Sequence, residues 1–250
     1  MDNYFEHQGT KLRYQIIGQG QPLIFLHGVG SSTLSIQKLL ELFAQNFQVI
    51  APDLPCFGKS SVPPRAWSYD DYVDFISAFL KTLNLKNIIL AGHSFGGEIA
   101  LRLANKGLPI DKLIVIGATG QPARGSLLKL IYISVWIKNR TIWKAYKNTQ
   151  QMMLMRKDLL GNIFRKLPKS IRLAKTIIKC VKSKIIWNRP VDIKTLLLWA
   201  ENDEYLFWPD VEKLITHFPN ATVQRLNEYH DWPLFKPDLL LQQIKDFVNT

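Results

Sequence analysis

Cysteine is scarce in this 250-residue sequence, which contains only Cys56 and Cys180. A cysteine-based metal site needs spacings such as C-x-x-C, and these two residues lie far apart. Neither has neighbours that would activate a thiolate, so we interpret both as ordinary thiols. The sequence shows no other cluster of metal ligands and no phosphate-binding loop. We therefore expect neither a metal nor an organic cofactor.

Long apolar runs are also missing. The most apolar stretch, residues 127–137, is interrupted by Lys129 and is shorter than the roughly 20 residues that a membrane-spanning helix needs. The first six residues lack the basic start and apolar run of a secretory signal, and no low-complexity segment or short repeat is present. These absences favour a globular cytoplasmic protein, and 250 residues fit one α/β domain that carries an insertion.

Acidic residues are almost absent from the middle of the chain. Residues 120–190 contain 17 Lys and Arg but only one acid, Asp158, which gives this segment a formal charge of +16. The remaining residues, 1–119 and 191–250, together carry −4, so the net charge of +12 originates in one segment. The middle segment is therefore chemically distinct from the rest of the chain.

Apolar runs alternate with amphipathic segments outside residues 120–190. The runs have the composition of strands that are covered on both faces, and they lie at residues 23–26, 47–51, 87–91, 113–117 and 195–199. Helical spacing is found at residues 33–46, 69–83, 95–106, 209–217 and 238–248. After an N-terminal antiparallel hairpin, this order predicts an α/β fold with a mostly parallel central sheet and helices on both faces. The predicted core comprises residues 1–119 and 191–250, and residues 120–190 form a helical insertion.

A G-x-S-x-G motif lies between a predicted strand and a predicted helix, in the order Gly92-His93-Ser94-Phe95-Gly96. A serine on so tight a turn is strained, its hydroxyl is clear of the backbone, and only small residues fit at the two glycine positions. The helix N-terminus would favour developing negative charge. The motif is also compatible with a plain strand-to-helix connection, but its context favours Ser94 as a nucleophile.

A serine hydroxyl needs a histidine to accept its proton, and His230 is in the best position to do so. It lies in the loop after the last predicted strand, at the carboxyl edge of the sheet. We assign structural positions to the other four histidines: His7, His27, His93 and His217.

An acid that orients His230 should follow another strand, and Asp203 meets this condition because the order Ser, Asp, His is that of a nucleophile-elbow enzyme. We interpret Glu201, Glu204 and Asp231 as solvated surface charges.

Two backbone N–H groups should stabilise an oxyanion. We predict that Phe95, the residue after the nucleophile, supplies one and that Val29, in the flexible loop of residues 27–32, supplies the other. The predicted substrate contacts are Gly28, Val29, Phe95 and Trp232.

Five motifs in this order resemble those of serine-nucleophile α/β-hydrolases with a helical cap. They are His27-Gly28, residues 51–60, residues 92–97, Asn202-Asp203 and His230. The resemblance covers almost the whole chain outside the insertion. Cys56 stands where the family usually has glycine, which predicts a local difference in that turn. The serine nucleophile argues against the dehalogenase and epoxide-hydrolase branches, which use aspartate.

The resemblance implies acyl-enzyme hydrolysis of an ester, thioester, lactone or carbon–carbon bond, or acyl transfer. It also implies that the insertion is a lid that lines the substrate pocket. A receptor that retains the same residues but holds a ligand remains an alternative from another class. The partner implied is a small-molecule acyl substrate, and the oligomeric state is left open.

The basic insertion allows several interpretations. Its basic face is either simply solvated, or rests on an anionic membrane and admits a lipid-like substrate, or steers an anionic soluble substrate. Nucleic-acid binding is disfavoured because no recognised motif accompanies the charge.

Overall fold

The computed structural model describes residues 2–122, 144–147, 149–165 and 170–250. Eight strands form one sheet in the described residues. They are β1 (Asp2–His7), β2 (Thr10–Ile17), β3 (Pro22–Leu26), β4 (Gln48–Pro52), β5 (Ile89–His93), β6 (Lys112–Ile116), β7 (Lys194–Ala200) and β8 (Ala221–Leu226).

The sheet has the order β1-β2-β4-β3-β5-β6-β7-β8. The hairpin of β1 and β2 and the pair of β2 and β4 are antiparallel, and all other pairs are parallel. The inner strands are buried along almost their whole length, as continuous apolar runs require when both faces are covered. The predicted fold class is confirmed.

Helices cover both faces of the sheet. In chain order they are α1 (Gln37–Phe43), α2 (Tyr69–Leu83), α3 (Phe95–Asn105), α4 (Thr149–Arg165), α5 (Ser170–Val181), α6 (Trp208–Ile215), α7 (Trp232–Phe235) and α8 (Pro237–Val248). Apolar side chains of α2 and α3 pack in a cluster on one face, and those of α1 and α8 in a cluster on the other. Helix α1 is shorter than predicted, because residues 33–36 belong to a loop in which Asp53 accepts the Thr33 N–H at 2.8 Å.

The insertion contains α4 and α5 in its described part, but it is not helical throughout. Residues 183–190 are irregular and return along the core. There the Ile185 N–H donates to the Gly120 carbonyl at 2.8 Å, and the Asn105 amide donates to the Ile186 carbonyl at 2.9 Å. The expectation of helix in this stretch was therefore wrong, since its backbone groups bond to Gly120, at the start of the insertion, and to Asn105 of the core. Residues 127–137 lie outside the described residues.

None of the helices in the described part of the chain combines the length and apolarity that a membrane crossing requires.

Both ends of the insertion are attached to α3 through one buried ion pair. Glu98 accepts the backbone N–H groups of Thr119 and Gly120 at 3.0 and 2.8 Å. The same carboxylate accepts a hydrogen bond from Arg102 at 2.6 Å, and Arg102 also donates to the Ser183 carbonyl at 3.3 Å. Because α3 begins at the elbow, the insertion is attached to the same helix that follows Ser94.

Replacing Glu98 tests this attachment. Glu98→Ala leaves Arg102 buried without its carboxylate and removes the acceptor of two backbone N–H groups. We therefore expect the free energy of unfolding to fall by about 3–5 kcal/mol, measured by urea denaturation. Glu98→Gln is the matched control, since it keeps an acceptor oxygen, and should lose less. An unchanged denaturation midpoint in Glu98→Ala would contradict the role of the ion pair.

Candidate active site

Ser94 lies on the tight turn between β5 and α3. Its backbone has φ 51° and ψ −114°, at a positive φ that residues with a side chain rarely adopt. The Ser94 N–H donates to the Ile116 carbonyl of β6 at 2.8 Å, and the Ser94 carbonyl accepts the Glu98 N–H at 2.9 Å. The turn is thus fixed on both sides while Ser94 itself remains partly exposed. This is the strained conformation that the motif predicts.

The turn is so close to its neighbours that only glycine fits two positions before and two positions after the serine. A Cβ atom on Gly92 would lie 2.4 Å from the Gly96 carbonyl oxygen, and one on Gly96 would lie 2.1 Å from the Leu26 carbonyl oxygen. Both distances are far below van der Waals contact. The motif glycines are therefore required by packing of backbone on backbone.

The structure brings Ser94, His230 and Asp203 together. The Ser94 hydroxyl oxygen lies 2.8 Å from His230 Nε2, and His230 Nδ1 lies 2.6 Å from Asp203 Oδ2. A carboxylate can only accept, so Nδ1 carries the proton and Nε2 is left to accept from the Ser94 hydroxyl. Two loops, after β7 and after β8, meet the turn after β5 at the carboxyl edge of the sheet.

Backbone N–H groups fix the Asp203 carboxylate. Asp203 Oδ1 accepts from Tyr205 at 2.8 Å and from Leu206 at 3.0 Å, which leaves Oδ2 for His230. The side chain of Asp203 has no exposed surface. The carboxylate is therefore held in one orientation and shielded from water.

Two residues that the sequence did not assign to the site hold the backbone of His230. The His93 ring donates from Nε2 to the His230 carbonyl at 3.0 Å, and Glu204 Oε2 accepts the His230 N–H at 3.3 Å. Their positions beside Ser94 and Asp203 were the only sequence signal. We infer that they position the imidazole without contacting its ring nitrogens.

The acids near the site differ in environment. Glu201 is exposed and pairs with Arg225 at 3.3 Å, as expected of a surface charge. Glu204 is half-buried, with Oε1 inaccessible to water, and Asp231 is only 5% exposed. The expectation of solvated charges was therefore wrong for Glu204 and Asp231, because the loops after β7 and β8 fold over them.

Three side chains near the site, two histidines and one aspartate, resemble a metal-ligand set. Ligand atoms of His93, His230 and Asp231 lie within 4.8 Å of one another in the described residues. Both ring nitrogens of His230 are, however, hydrogen bonded to Ser94 and Asp203. In this arrangement both ring nitrogens of His230 are engaged, and neither is left for a cation.

His27 anchors the loop that faces the elbow. It is fully buried, and burial lowers its pKa. Its Nε2 accepts the Leu54 N–H at 2.9 Å, and Nδ1 lies 2.8 Å from the Gly28 carbonyl, so the neutral ring carries its proton on Nδ1. These contacts fit the structural role expected of His27.

The two predicted oxyanion residues belong to segments that lie close to Ser94. A Cβ atom on Gly28 would be 3.4 Å from the Ser94 Cβ, so the loop backbone passes close to Ser94, and Val29 follows. Phe95 is the first residue of α3, where a backbone N–H has no intrahelical acceptor. The oxyanion roles of Val29 and Phe95 and the substrate contact of Gly28 stay predictions.

Trp232 lies in the core rather than at the surface of the site. It is the first residue of α7, is 1% exposed, and packs in the cluster with α1 and α8. This burial favours a packing role, so we leave Trp232 out of the proposed pocket.

Both cysteines are buried, and they are not joined in a disulfide. Cys56 itself adopts the left-handed conformation, with φ 80°, so the turn keeps the backbone that a glycine would take. Burial raises the pKa of the Cys180 thiol to about 12. This supports the interpretation of Cys180 as an unreactive thiol.

Comparisons with known proteins give consistent matches. Residues 21–137 match a family model described as alpha/beta hydrolase fold. The uncharacterised hydrolase YugF of Bacillus subtilis (strain 168) is 26% identical over 268 residues, covering 98% of this chain and 94% of that protein. The AB hydrolase superfamily protein YisY of the same organism is 40% identical over 105 residues, 41% of this chain and 39% of that protein. The structure of an esterase, EaEST from Exiguobacterium antarcticum, superposes with a TM-score of 0.81 at 18% identity and covers 100% of both chains.

The buried carboxyl beside His230 predicts a pH-dependent stability. Burial is the largest influence on Glu204 and raises its pKa, against smaller opposing hydrogen bonds. The folded protein then binds more protons than the unfolded chain between the two pKa values, so stability falls as pH rises through that range. Glu204→Gln should raise the Tm near neutral pH, and this gain should vanish below about pH 4.

Thermal unfolding at several pH values checks this expectation. Glu201→Gln is the control, because an exposed ion pair contributes little to stability, and its Tm should follow the wild type at every pH. A Glu204→Gln variant no more stable than the wild type near neutral pH would refute the effect of burial.

Proposed function

Because the chain belongs to the α/β-hydrolase superfamily, we propose that it is a serine hydrolase that cleaves an ester or thioester through an acyl-enzyme. Its matches confirm an enzyme of this superfamily, whereas the bond and the catalytic residues are our proposal. The observation that carries it is the continuous hydrogen-bonded chain from Ser94 through His230 to Asp203.

The proposed reaction begins when His230 Nε2 takes the hydroxyl proton as the Ser94 oxygen attacks the substrate carbonyl. Asp203 stabilises the resulting imidazolium through its bond to Nδ1. The tetrahedral intermediate collapses, and His230 gives the proton to the leaving alcohol or thiol. Water then repeats the attack on the acyl-enzyme, with His230 as the base, and releases the acid and Ser94.

The oxyanion of each tetrahedral intermediate requires fixed donors. We assign the N–H of Phe95, at the beginning of α3, and the N–H of Val29, which follows Gly28, the loop residue close to Ser94. The dipole of α3 adds to this stabilisation. Loss of one such donor typically costs about 10²–10³ in kcat.

Other reactions share the same nucleophile. Acyl transfer differs only in the acceptor that replaces water, and carbon–carbon bond hydrolysis in the leaving group. A receptor would bind its ligand with little or no turnover. Turnover measurements with esters separate the receptor from the enzymes, and addition of alcohol acceptors separates transfer from hydrolysis.

A fluorophosphonate and Ser94→Ala test the nucleophile. We expect stoichiometric labelling of the wild type by intact mass, no labelling of Ser94→Ala, and a loss of p-nitrophenyl ester turnover of roughly 10⁴- to 10⁶-fold. Ser77→Ala is the matched control, since Ser77 is a buried serine of α2 whose hydroxyl donates to the Val73 carbonyl at 2.6 Å. An unlabelled and inactive wild type would reject the proposal in favour of the receptor.

The surroundings of the site favour an apolar, lipid-like acyl group. Large apolar side chains are exposed beside the elbow and on the described part of the insertion; they include Val29, Met153, Leu159, Leu160 and Ile171. Arg156 and Lys157 are also exposed, on helix α4, which carries three of these apolar side chains. We propose that this mixed apolar and basic surface rests on an anionic membrane from which the substrate enters.

Charge reversal tests the membrane surface. Arg156→Glu/Lys157→Glu should weaken binding to vesicles that contain anionic lipid by at least roughly tenfold, since each basic residue near such a surface contributes about 1 kcal/mol. Lys81→Glu/Lys86→Glu makes the same change in net charge on exposed residues of the core and should bind as the wild type does. Equal vesicle binding by all three proteins would rule out membrane docking. If the charge reversal raises the KM for a soluble anionic thioester and leaves vesicle binding unchanged, the basic surface steers that substrate instead of docking on a membrane.

A further inference from the structure

The insertion holds the loop of the predicted oxyanion site through its single acid. Asp158 of α4 has no exposed surface, and both oxygens of its carboxylate lie 2.8 Å from the Ser32 hydroxyl. Ser32 is itself 2% exposed. A hydroxyl that donates to a buried carboxylate makes a stronger hydrogen bond than one between neutral groups. The contact therefore joins the insertion firmly to the core.

Ser32 belongs to a short loop whose other side is fixed by the core. Gly28 of this loop lies close to Ser94, and the loop continues to Ser35. Asp53 accepts the Thr33 N–H at 2.8 Å from the core side. The backbone that carries Val29 is thus held between the core and α4.

Two more contacts from α4 reach the same loop. The Gln151 amide donates to the Ser35 carbonyl at 2.8 Å, and Gln151 is seven residues before Asp158, on the same face of the helix. Leu159 lies over Gly30, where an added Cβ would be 3.2 Å from its Cδ1. One face of α4 therefore covers the loop from Gly30 to Ser35.

We propose that Asp158 is a positioning residue, which holds the loop through Ser32 so that the Val29 N–H is aimed at the oxyanion. The loop would then be set for catalysis only while α4 is seated on it. This inference rests on the proposed function, since it assigns Asp158 to the oxyanion loop of that reaction. The proposed role also explains why Asp158, the one acid of a strongly basic segment, is buried.

If Asp158 only anchored the insertion, its replacement would have different kinetic effects. An anchor of the insertion would change stability and substrate binding, but not the rate of the bound substrate. A misplaced oxyanion donor lowers kcat, because the donor acts on the transition state more than on the substrate. The division between kcat and KM therefore separates the two roles.

We expect Asp158→Ala to lower kcat for ester hydrolysis about ten- to a hundredfold, less than complete loss of an oxyanion donor, with KM within about threefold. Asp158→Asn keeps an acceptor for Ser32 and should retain most of the activity. Ser32→Ala removes the same hydrogen bond from the core side, and the double variant should be no slower than the slower single variant. If Asp158→Ala fails to fold, Ser32→Ala tests the same hydrogen bond.

Thr176→Ala is the matched control for attachment of the insertion. Thr176 of α5 is buried and accepts the Trp67 N–H at 3.1 Å, a bond that involves neither α4 nor the loop, so its loss should lower stability and leave kcat unchanged. Hydrogen exchange of residues 28–34 gives a readout that needs no activity. It should speed up in Asp158→Ala and not in Thr176→Ala.

The outcomes separate this inference from the proposed function. A wild type labelled by fluorophosphonate, with kcat and loop exchange unchanged in Asp158→Ala, overturns the role of Asp158 alone. Equal impairment of Asp158→Asn and Asp158→Ala also overturns it, because the bond to Ser32 would then not be the cause. A wild type that takes no label overturns the proposed function.

Discussion

The contact between the Gly96 backbone and the Leu26 carbonyl is the constraint on which the rest of the site depends. No side chain fits between them, since even a Cβ would lie 2.1 Å from that oxygen. The close approach holds the start of α3 against the end of β3. It therefore holds Ser94 in its strained conformation with positive φ and brings the loop that begins at His27 beside it. The proposed nucleophile and the segments that carry both predicted oxyanion donors therefore meet at one close backbone contact.

The remaining geometry comes from the order of strands in the sheet. Strands β5, β6, β7 and β8 are neighbours, so the connections at their carboxyl ends meet at one edge. Backbone groups then fix each side chain. Peptide N–H groups orient Asp203, while His93 and Glu204 hold the peptide groups of His230. The imidazole is fixed by its backbone and by its partners, which is the rigidity that proton transfer requires.

The insertion shows what a charge pattern in a sequence can predict and what it cannot. Its excess of lysine and arginine is visible in the sequence and distinguishes the segment from the core. The pattern says nothing of where its one acid lies. The structure buries Asp158 against Ser32, and Glu98 and Arg102 of the core fix the ends of the segment. Several of the hydrogen bonds that join insertion and core are therefore made by the few polar side chains that are buried and paired.

The sequence by itself determined the fold class and singled out Ser94, His230 and Asp203. The spacing of apolar residues, the residues of the turns and the order of the motifs can all be read along the chain without knowing its packing. Sequence reasoning missed the buried state of Glu204 and Asp231 and the contact of His93 with the His230 backbone, and it placed Trp232 in the pocket rather than the core. Only the tertiary structure decided these points. Burial and hydrogen-bond partners depend on which distant segments cover a residue, and a one-dimensional pattern does not specify that packing.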